Sequence, residues 1–249
     1  MVTRVAIVGA SGRMGTLTTR LVEQDPEFEV HALVGSKDPI ELIEGAGLVV
    51  DLTIPSVSAG VVDAALERRI PVLVGTSGWS ADRIDALRAK LRSVPELGVV
   101  IVPNFSLGSA IATWLSTLAA PHFDSIEIVE SHHAEKVDSP SGTAVRTAEL
   151  IGTARAEVGP VRAPHNDQRA RGQQVASIPI HSLRMDGVLA EQEVRFGGTG
   201  ETVRISHQTL SDSSYEAGIL IAMRATREHV GLTVGLDKLL GLGGPRRRG

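Results

Sequence analysis

Residues 130–144, Glu130-Ser-His-His-Ala-Glu-Lys-Val-Asp-Ser-Pro-Ser-Gly-Thr-Ala144, gather two histidines, a lysine, three carboxylates and a helix start into one short stretch. These are groups that move protons and bind anions. The run before them, Ser125 to Ser131, alternates Ile126, Glu127, Ile128, which is the period of a strand. His132 and His133 must therefore leave the sheet in opposite directions, so they cannot both clamp one metal ion, and no metal is expected. After Pro140, the residues Ala144, Val145, Ala148 and Ile151 recur on one face of a helix, with Ser141 as its cap. The amide N–H groups and positive dipole end of such a helix suit a carboxylate or phosphate. Lys136 adds a full charge. Any one of these residues reads equally well as part of a solvated loop; together they point to a site for an anionic small molecule.

A second constellation lies at the other end of the chain. Val5-Ala6-Ile7-Val8 runs into Gly9-Ala10-Ser11-Gly12-Arg13-Met14-Gly15, and Met14, Leu17, Leu21 and Val22 follow at helical spacing. Strand, glycine turn and helix in that order form a G-x-x-G-x-x-G variant of the dinucleotide fingerprint. Its glycines permit a tight turn, close backbone approach to pyrophosphate and close helix packing.

The elements that must position these groups follow from periodicity. Apolar strands are expected at Phe28–Val34, Leu48–Leu52, Pro71–Val74 and Val99–Val102, with amphipathic helices at Ser56–Arg68 and Ser80–Leu91. Mostly apolar strands separated by helices predict a doubly wound parallel sheet, an α/β fold. Ligands in such sheets sit at the carboxyl ends of the strands. That gives weight to Thr53-Ile54-Pro55, to Gly75-Thr76-Ser77-Gly78 and to Pro103-Asn104-Phe105-Ser106. There Gly75 would let the backbone approach a flat ring, Thr76 and Ser77 would bond a carboxamide, and Phe105 is a scarce aromatic. Beyond Ser106 the pattern changes to α+β. A helix at Ser109–Ala119 is followed by the strand at Ser125–Ser131, a helix to about Ala156 and a long mobile connection over Val158–Gly172. Three strand-like runs come next, Ala176–Arg184, Val188–Phe196 and Glu201–Thr209, joined as hairpins at Met185-Asp186-Gly187 and Gly197–Gly200. A helix at Ser213–Ala225 and a short segment at Leu236–Leu242 close the chain.

Composition sets the bounds. The 249 residues carry 25 basic and 29 acidic side chains, a formal −4, which offers no electrostatic case for nucleic acid or an anionic membrane. Arg246-Arg247-Arg248 reads as a frayed tail. There is no cysteine, which excludes disulfides, cysteine–zinc sites and thiol nucleophiles. No apolar run reaches membrane-spanning length and the N-terminus lacks a signal-peptide layout, so a soluble cytoplasmic protein is expected.

Those pieces in that order resemble the 4-hydroxy-tetrahydrodipicolinate reductase family, formerly called dihydrodipicolinate reductases. Residues 130–144 look like the family's E-x-H-H-x-x-K-x-D-x-P-S-G-T-A signature at every defined position. Gly9–Gly15, Gly75-Thr76-Ser77, Pro103-Asn104-Phe105 and Gly231–Leu236 match its other segments. The resemblance implies reduction by NADPH and/or NADH of a cyclic, imine-type dicarboxylate to tetrahydrodipicolinate, in the diaminopimelate route to L-lysine. It implies His132 as proton donor or acceptor, Lys136 as proton donor, and His133, Ser141, Gly142 and Thr143 as substrate-binding residues. Cofactor contacts are expected from Gly9, Ala10, Ser11, Gly12, Arg13, Met14, Ser36, Lys37, Gly75, Thr76, Ser77, Val102, Pro103, Asn104 and Phe105. The resemblance also implies a dinucleotide-binding domain over 1–106 plus 216–249. A second domain over 107–215, built on an antiparallel or mixed sheet, would bind substrate and join the chains into a homotetramer.

One departure bears on the cofactor. Family members usually carry an acidic residue near the end of the second strand for the adenine ribose; this chain reads Leu33-Val34-Gly35-Ser36-Lys37. A missing acceptor beside a lysine predicts NADPH at least as good as NADH, unless Asp38 returns a carboxylate to the pocket. Two rivals share the nucleotide half: another dinucleotide-dependent oxidoreductase of small amino or imino acids, and a non-catalytic NAD(P) sensor. A sensor has no chemical reason to keep the His-His-x-x-Lys loop.

Overall fold

The computed structural model describes residues 2–242, so the Arg246–Arg248 run lies outside the described residues. The chain divides into two compact units, Met1–Phe105 with Tyr215–Gly249, and Ser106–Ser214.

The first unit contains β1 (Thr3–Val8), α1 (Arg13–Gln24), β2 (Phe28–Val34), β3 (Leu48–Asp51), α2 (Pro55–Glu67), β4 (Val72–Val74), α3 (Ala81–Leu91) and β5 (Gly98–Ile101). In the second unit lie α4 (Leu107–Ala119), β6 (Ser125–His132), α5 (Gly142–Ala154), β7 (Gln173–Val175), β8 (Ile178–Arg184), β9 (Ala190–Gly198) and β10 (Glu201–Thr209). The chain then returns to the first unit with α6 (Glu216–Glu228), β11 (Gly231–Val234) and α7 (Leu236–Leu239).

Six parallel strands in the order β11-β5-β4-β3-β1-β2 make the first sheet. Every residue of β3, β4 and β5 is buried, which is why these strands read as unbroken apolar runs instead of alternating ones. Val49, Val72, Val74, Val99 and Ile101 pack with Val61, Val62, Ala65 and Leu66 of α2 and with Leu87 and Leu91 of α3. Each fully buried valine or isoleucine contributes roughly 1.5–3 kcal/mol. Because β1 has β2 on one side and β3 on the other, the strand order reverses there. In sheets of this kind ligands bind at the carboxyl ends of the strands where the order reverses, here β1 and β3.

The second sheet is mixed, in the order β10-β9-β6-β8-β7, with β6 and β8 parallel and the remaining pairs antiparallel. This corrects one sequence expectation. Met185-Asp186-Gly187 is not a hairpin, because β8 and β9 lie on opposite sides of β6 and the connection has to cross it. Thr199-Gly200 does close the β9–β10 hairpin, with Gly200 at φ +78°. A further hairpin divides the run expected over Ala176–Arg184. Ala176 and Ser177 both take positive φ, 48° and 69°, in a two-residue turn between β7 and β8. The stretch expected as a mobile connection is partly tied down: Val161 is buried, its N–H bonds Ser177 Oγ at 3.2 Å, and the Arg162 N–H bonds the Asp124 carbonyl at 2.7 Å. The last long helix starts at Glu216, three residues later than periodicity suggests, because Asp212–Tyr215 form a 3-10 turn.

In the core of this unit, Ile126, Ile128, Ile178, Ile180, Val194 and Phe196 of the sheet pack against Ala144, Ala148 and Ile151 of α5. Along β6 the inward positions are Ile126, Ile128 and then Glu130. A carboxylate occupies the place where the third apolar residue of the alternation belongs.

Candidate active site

Glu130 is fully buried, and its carboxylate accepts hydrogen bonds from several neighbours. His132 Nδ1 lies 2.5 Å from Oε2, and the Arg184 guanidinium grips both oxygens at 3.0 Å. The Ser141 N–H donates to Oε1 at 3.1 Å. Burial pushes the Glu130 carboxyl up, but the bonds from His132, Arg184 and Ser182, with the charge of His132, outweigh it and lower its pKa from 4.5 to about 2. The strand ladder brings these groups together: Ser182 and Arg184 on β8 stand level with Glu130 and His132 on β6. His132 shares a face with Glu130 because two residues separate them on a strand.

Between β6 and α5 the loop 133–140 carries the rest. The Lys136 side chain is mostly buried and its Nζ donates to Asp138 Oδ1 at 2.6 Å. Burial acts to raise the Asp138 carboxyl, and the hydrogen bond and charge of Lys136 overcome this to hold it below its ordinary value. The His133 carbonyl accepts the Lys136 N–H at 3.1 Å. Arg184 reaches the loop as well, donating to the carbonyls of Lys136 at 3.3 Å and Asp138 at 2.6 Å. Ser141 caps α5, its Oγ accepting the Ala144 N–H at 3.2 Å. Gly142 follows with open space: a Cβ there would meet nothing within 4 Å, so an oxyanion can approach the first helical amide. Thr143 is held from behind, its carbonyl accepting from Thr147 Oγ1 at 2.9 Å, while Gln192 Nε2 of β9 donates to Thr147 at 3.0 Å. The second unit thus brings His132, His133, Lys136, Ser141, Gly142 and Thr143 into one contiguous strand-loop-helix start.

In the first unit the glycine turn has the geometry that a dinucleotide needs. Gly9 sits at φ +85°, and a Cβ there would fall 2.5 Å from the Leu52 carbonyl oxygen. At Gly15 a Cβ would lie 2.2 Å from the Gly9 oxygen, so this glycine lets α1 pack onto the turn. Gly12, exposed at the helix start, would meet only the Gly9 oxygen at 3.3 Å. Its outer side is clear for a phosphate group. Ala10 stays on the turn through a bond from its N–H to the Val34 carbonyl at 3.3 Å; Ser11 and Arg13 are exposed and Met14 is half-buried. These residues fit the pyrophosphate of NAD(P)H.

The other cofactor candidates differ in exposure. Ser36 and Lys37 are exposed at the end of β2, and between them and the strand the Asp38 carboxylate turns back to accept the Gly35 N–H at 2.8 Å. Ser77 and Pro103 are exposed, Asn104 is half-buried and Val102 is fully buried, its N–H on the Val74 carbonyl at 2.8 Å. Gly75 has a packing reason to be glycine: a Cβ there would come 2.6 Å from Leu52 Cδ2 and 2.7 Å from Phe105 Cε2, so the missing side chain makes room for a buried Phe105 ring beneath the loop. Thr76 also faces inward, buried over the Asp51 carbonyl.

Sequence reasoning missed two participants as site residues. Glu130 had a signal, since it breaks the inward apolar alternation of β6. Arg184 had none, lying 54 positions from the carboxylate that it grips.

Models of two family segments match the chain: "Dihydrodipicolinate reductase, N-terminus" over residues 3–105 and "Dihydrodipicolinate reductase, C-terminus" over residues 101–240. The chain belongs to the dihydrodipicolinate reductase family. Among its relatives in that family, the 4-hydroxy-tetrahydrodipicolinate reductase of Clavibacter michiganensis subsp. michiganensis is 58% identical over 248 residues, covering 100% of this chain and 90% of the relative. The reductase of Streptomyces avermitilis is 42% identical over 247 residues, covering 96% and 98%. The solved structure of a dipicolinate-bound dihydrodipicolinate reductase from Paenisporosarcina sp. TG-14 superposes with a TM-score of 0.79 at 28% identity, covering 96% of this chain and 99% of that one. A myo-inositol dehydrogenase from Corynebacterium glutamicum, at 16% identity and a TM-score of 0.57, shares the fold alone.

Proposed function

We propose that His132 and Lys136 handle the protons, and the start of α5 binds a carboxylate, in the reaction of this family. The chain is an NAD(P)H-dependent oxidoreductase, a 4-hydroxy-tetrahydrodipicolinate reductase, which forms tetrahydrodipicolinate in the diaminopimelate route to L-lysine. The observation that carries the residue assignment is the joining of an imidazole, an ammonium and an open helix start by one eight-residue loop, 133–140, and its two anchors.

The reduced nicotinamide supplies a hydride to the unsaturated ring. Electron density then builds up on a ring atom that an acid must protonate, and His132 and Lys136 are the acids within this loop. The dicarboxylate ring carries two negative charges. Lys136, His133, the capped turn at Ser141 and the amides of Gly142 and Thr143 provide a cation and donors for them. Asp138 holds Lys136 until a substrate carboxylate takes its place. In this reading the unit Met1–Phe105 with Tyr215–Gly249 binds the dinucleotide, through Gly9–Met14, Ser77 and the backbone of Val102–Phe105. The unit Ser106–Ser214 binds the substrate and joins the chains of a homotetramer, and the protein works in the cytoplasm. Lys37 favours a 2′-phosphate and the nearby Asp38 carboxylate opposes it, so both NADPH and NADH serve, with a small preference for NADPH.

NAD(P)H oxidation followed with the upstream synthase supplying the unstable substrate tests the reading. His132→Gln should lower turnover while cofactor affinity stays within a few-fold of the parent. Turnover within threefold of the parent would remove His132 from the chemistry.

A further inference from the structure

His132 and Lys136 need more than their own side chains to act together, and the structure shows what fixes them. Glu130 is ionised, and an ionised carboxylate only accepts hydrogen bonds. The 2.5 Å contact therefore requires the proton on His132 Nδ1, which leaves Nε2 as the nitrogen that exchanges protons with a substrate. Arg184 grips the same carboxylate with two bonds of 3.0 Å and, with its remaining donors, takes the carbonyls of Lys136 and Asp138. One guanidinium thus ties the orienter of the imidazole to the backbone that carries the ammonium. Arg184 stands level with His132 across the parallel pair β6–β8, and the Met185 N–H bonds the His132 carbonyl at 2.9 Å, so the tie is short on both sides.

From this we infer that Glu130 and Arg184 are positioning residues for the reaction. Glu130 sets the tautomer of His132, and Arg184 sets the placement of Lys136 relative to it. The inference rests on the reading that His132 transfers a proton. Among the described residues, the charged groups tied to the His132–Glu130 pair are Arg184 on β8 and, through the carbonyls that Arg184 binds, the loop that carries the Lys136–Asp138 pair. On β9 the neighbour of His132 is the uncharged Ala190, while Glu191 stands level with Ser131 and points to the opposite face. Removing the Glu130 charge therefore removes the one carboxylate bonded to the imidazole.

The experiment compares Glu130→Gln, Arg184→Lys and His132→Gln in full-length protein, reading kcat and substrate KM, with nitrogen NMR of the histidine rings in the parent and the variants. In the parent, the signals absent from His132→Gln should show Nδ1 protonated and hydrogen-bonded to a carboxylate. Glu130→Gln should lower kcat on the order of a hundredfold, the cost of a misplaced reacting group. It should also lose that carboxylate-bonded Nδ1–H signature. Arg184→Lys keeps the carboxylate ionised but gives up the fork and the loop carbonyls. It should raise substrate KM and lower kcat with the Nδ1–H signature retained. A parent ring with no proton on Nδ1 overturns the inference. So does a Glu130→Gln protein with kcat within threefold and an unchanged signature. Should Glu130→Gln fail to fold, parent-like KM and kcat in Arg184→Lys overturn it. Parent-like turnover in His132→Gln sinks the underlying assignment instead, which separates the two failures.

Discussion

Among the described residues two carboxylates are completely buried, Asp51 at the end of β3 and Glu130 near the end of β6, and they are satisfied in different ways. Asp51 takes the Thr53 N–H at 3.0 Å, the Thr53 hydroxyl at 2.5 Å and the Ser58 hydroxyl. All are neutral donors within seven residues, and Trp79 Nε1 adds a bond to Ser58 at 3.1 Å. Glu130 takes an arginine fork and an imidazole, and the arginine comes from a distant strand. A carboxylate bound by near, neutral groups shapes a turn. One bound by remote, charged groups passes its charge to side chains that can react. Burial alone does not separate scaffold from chemistry; the partners do.

The largest effect expected from that contrast is at the reacting end of the Glu130 network. His132→Gln should cost roughly 10²- to 10⁴-fold in turnover, the usual worth of a positioned acid, measured as kcat at saturating cofactor. Next comes Lys136→Ala, which should weaken pyridine-2,6-dicarboxylate as a competitive inhibitor about ten- to a hundredfold, since a hydrogen bond to a charged group contributes about 1.5–3 kcal/mol. Unchanged inhibition would place the anion site elsewhere.

Asp51→Asn probes the other side of the comparison. It should lower stability to denaturant by about 1–3 kcal/mol through donors left unpaired in the interior, and leave the pH profile of kcat untouched. A displaced profile would break the distinction drawn here. Acid unfolding sharpens it from the Glu130 side. Because the folded-state pKa of Glu130 is depressed from 4.5 to about 2, its contribution to stability is present in full above pH 4.5 and is lost as pH falls towards 2. By linkage that contribution is on the order of 3 kcal/mol. Glu130→Gln should flatten the loss of stability over this window, and an unflattened curve would mean that other carboxylates dominate it. Smallest is Asp38→Asn, which should raise kcat/KM for NADPH relative to NADH a few-fold, in line with about 1 kcal/mol for an exposed charge. A shift towards NADH would mean that Asp38 does not oppose the 2′-phosphate.

What the sequence made legible follows the range of the interactions. Gly12 and Gly15 of the glycine turn and the strands β3, β4 and β5 carry their causes locally, as close approaches to Gly9 within six residues and as unbroken apolar runs. The α5 start was equally plain, because Ser141 and Ala144 are near neighbours. Pairings between distant strands leave no such mark. Nothing in Met185-Asp186-Gly187 tells a crossover from a hairpin, and Ala176-Ser177 turns the chain without the glycine or asparagine that would announce it. The packing of Gly75 against Phe105, thirty positions on, leaves no local mark either. His132 and Lys136 stand in a motif that a family resemblance can flag, whereas the guanidinium that binds Glu130 and the loop carbonyls stands outside it.

The ladder of β6 runs through His132, paired on one side with Ala190 and on the other with Arg184, and stops there. That ending divides the site for anyone who wishes to redesign it. From Ile128 to His132 every backbone position is shared by three strands, so a substitution there is felt across the sheet. From His133 to Ser139 the segment belongs to no strand or helix, and Val137 is 98% exposed. A library aimed at ring substituents or a different spacing of carboxylates belongs in that segment and at the open face of Gly142, with Glu130, His132 and Arg184 held constant.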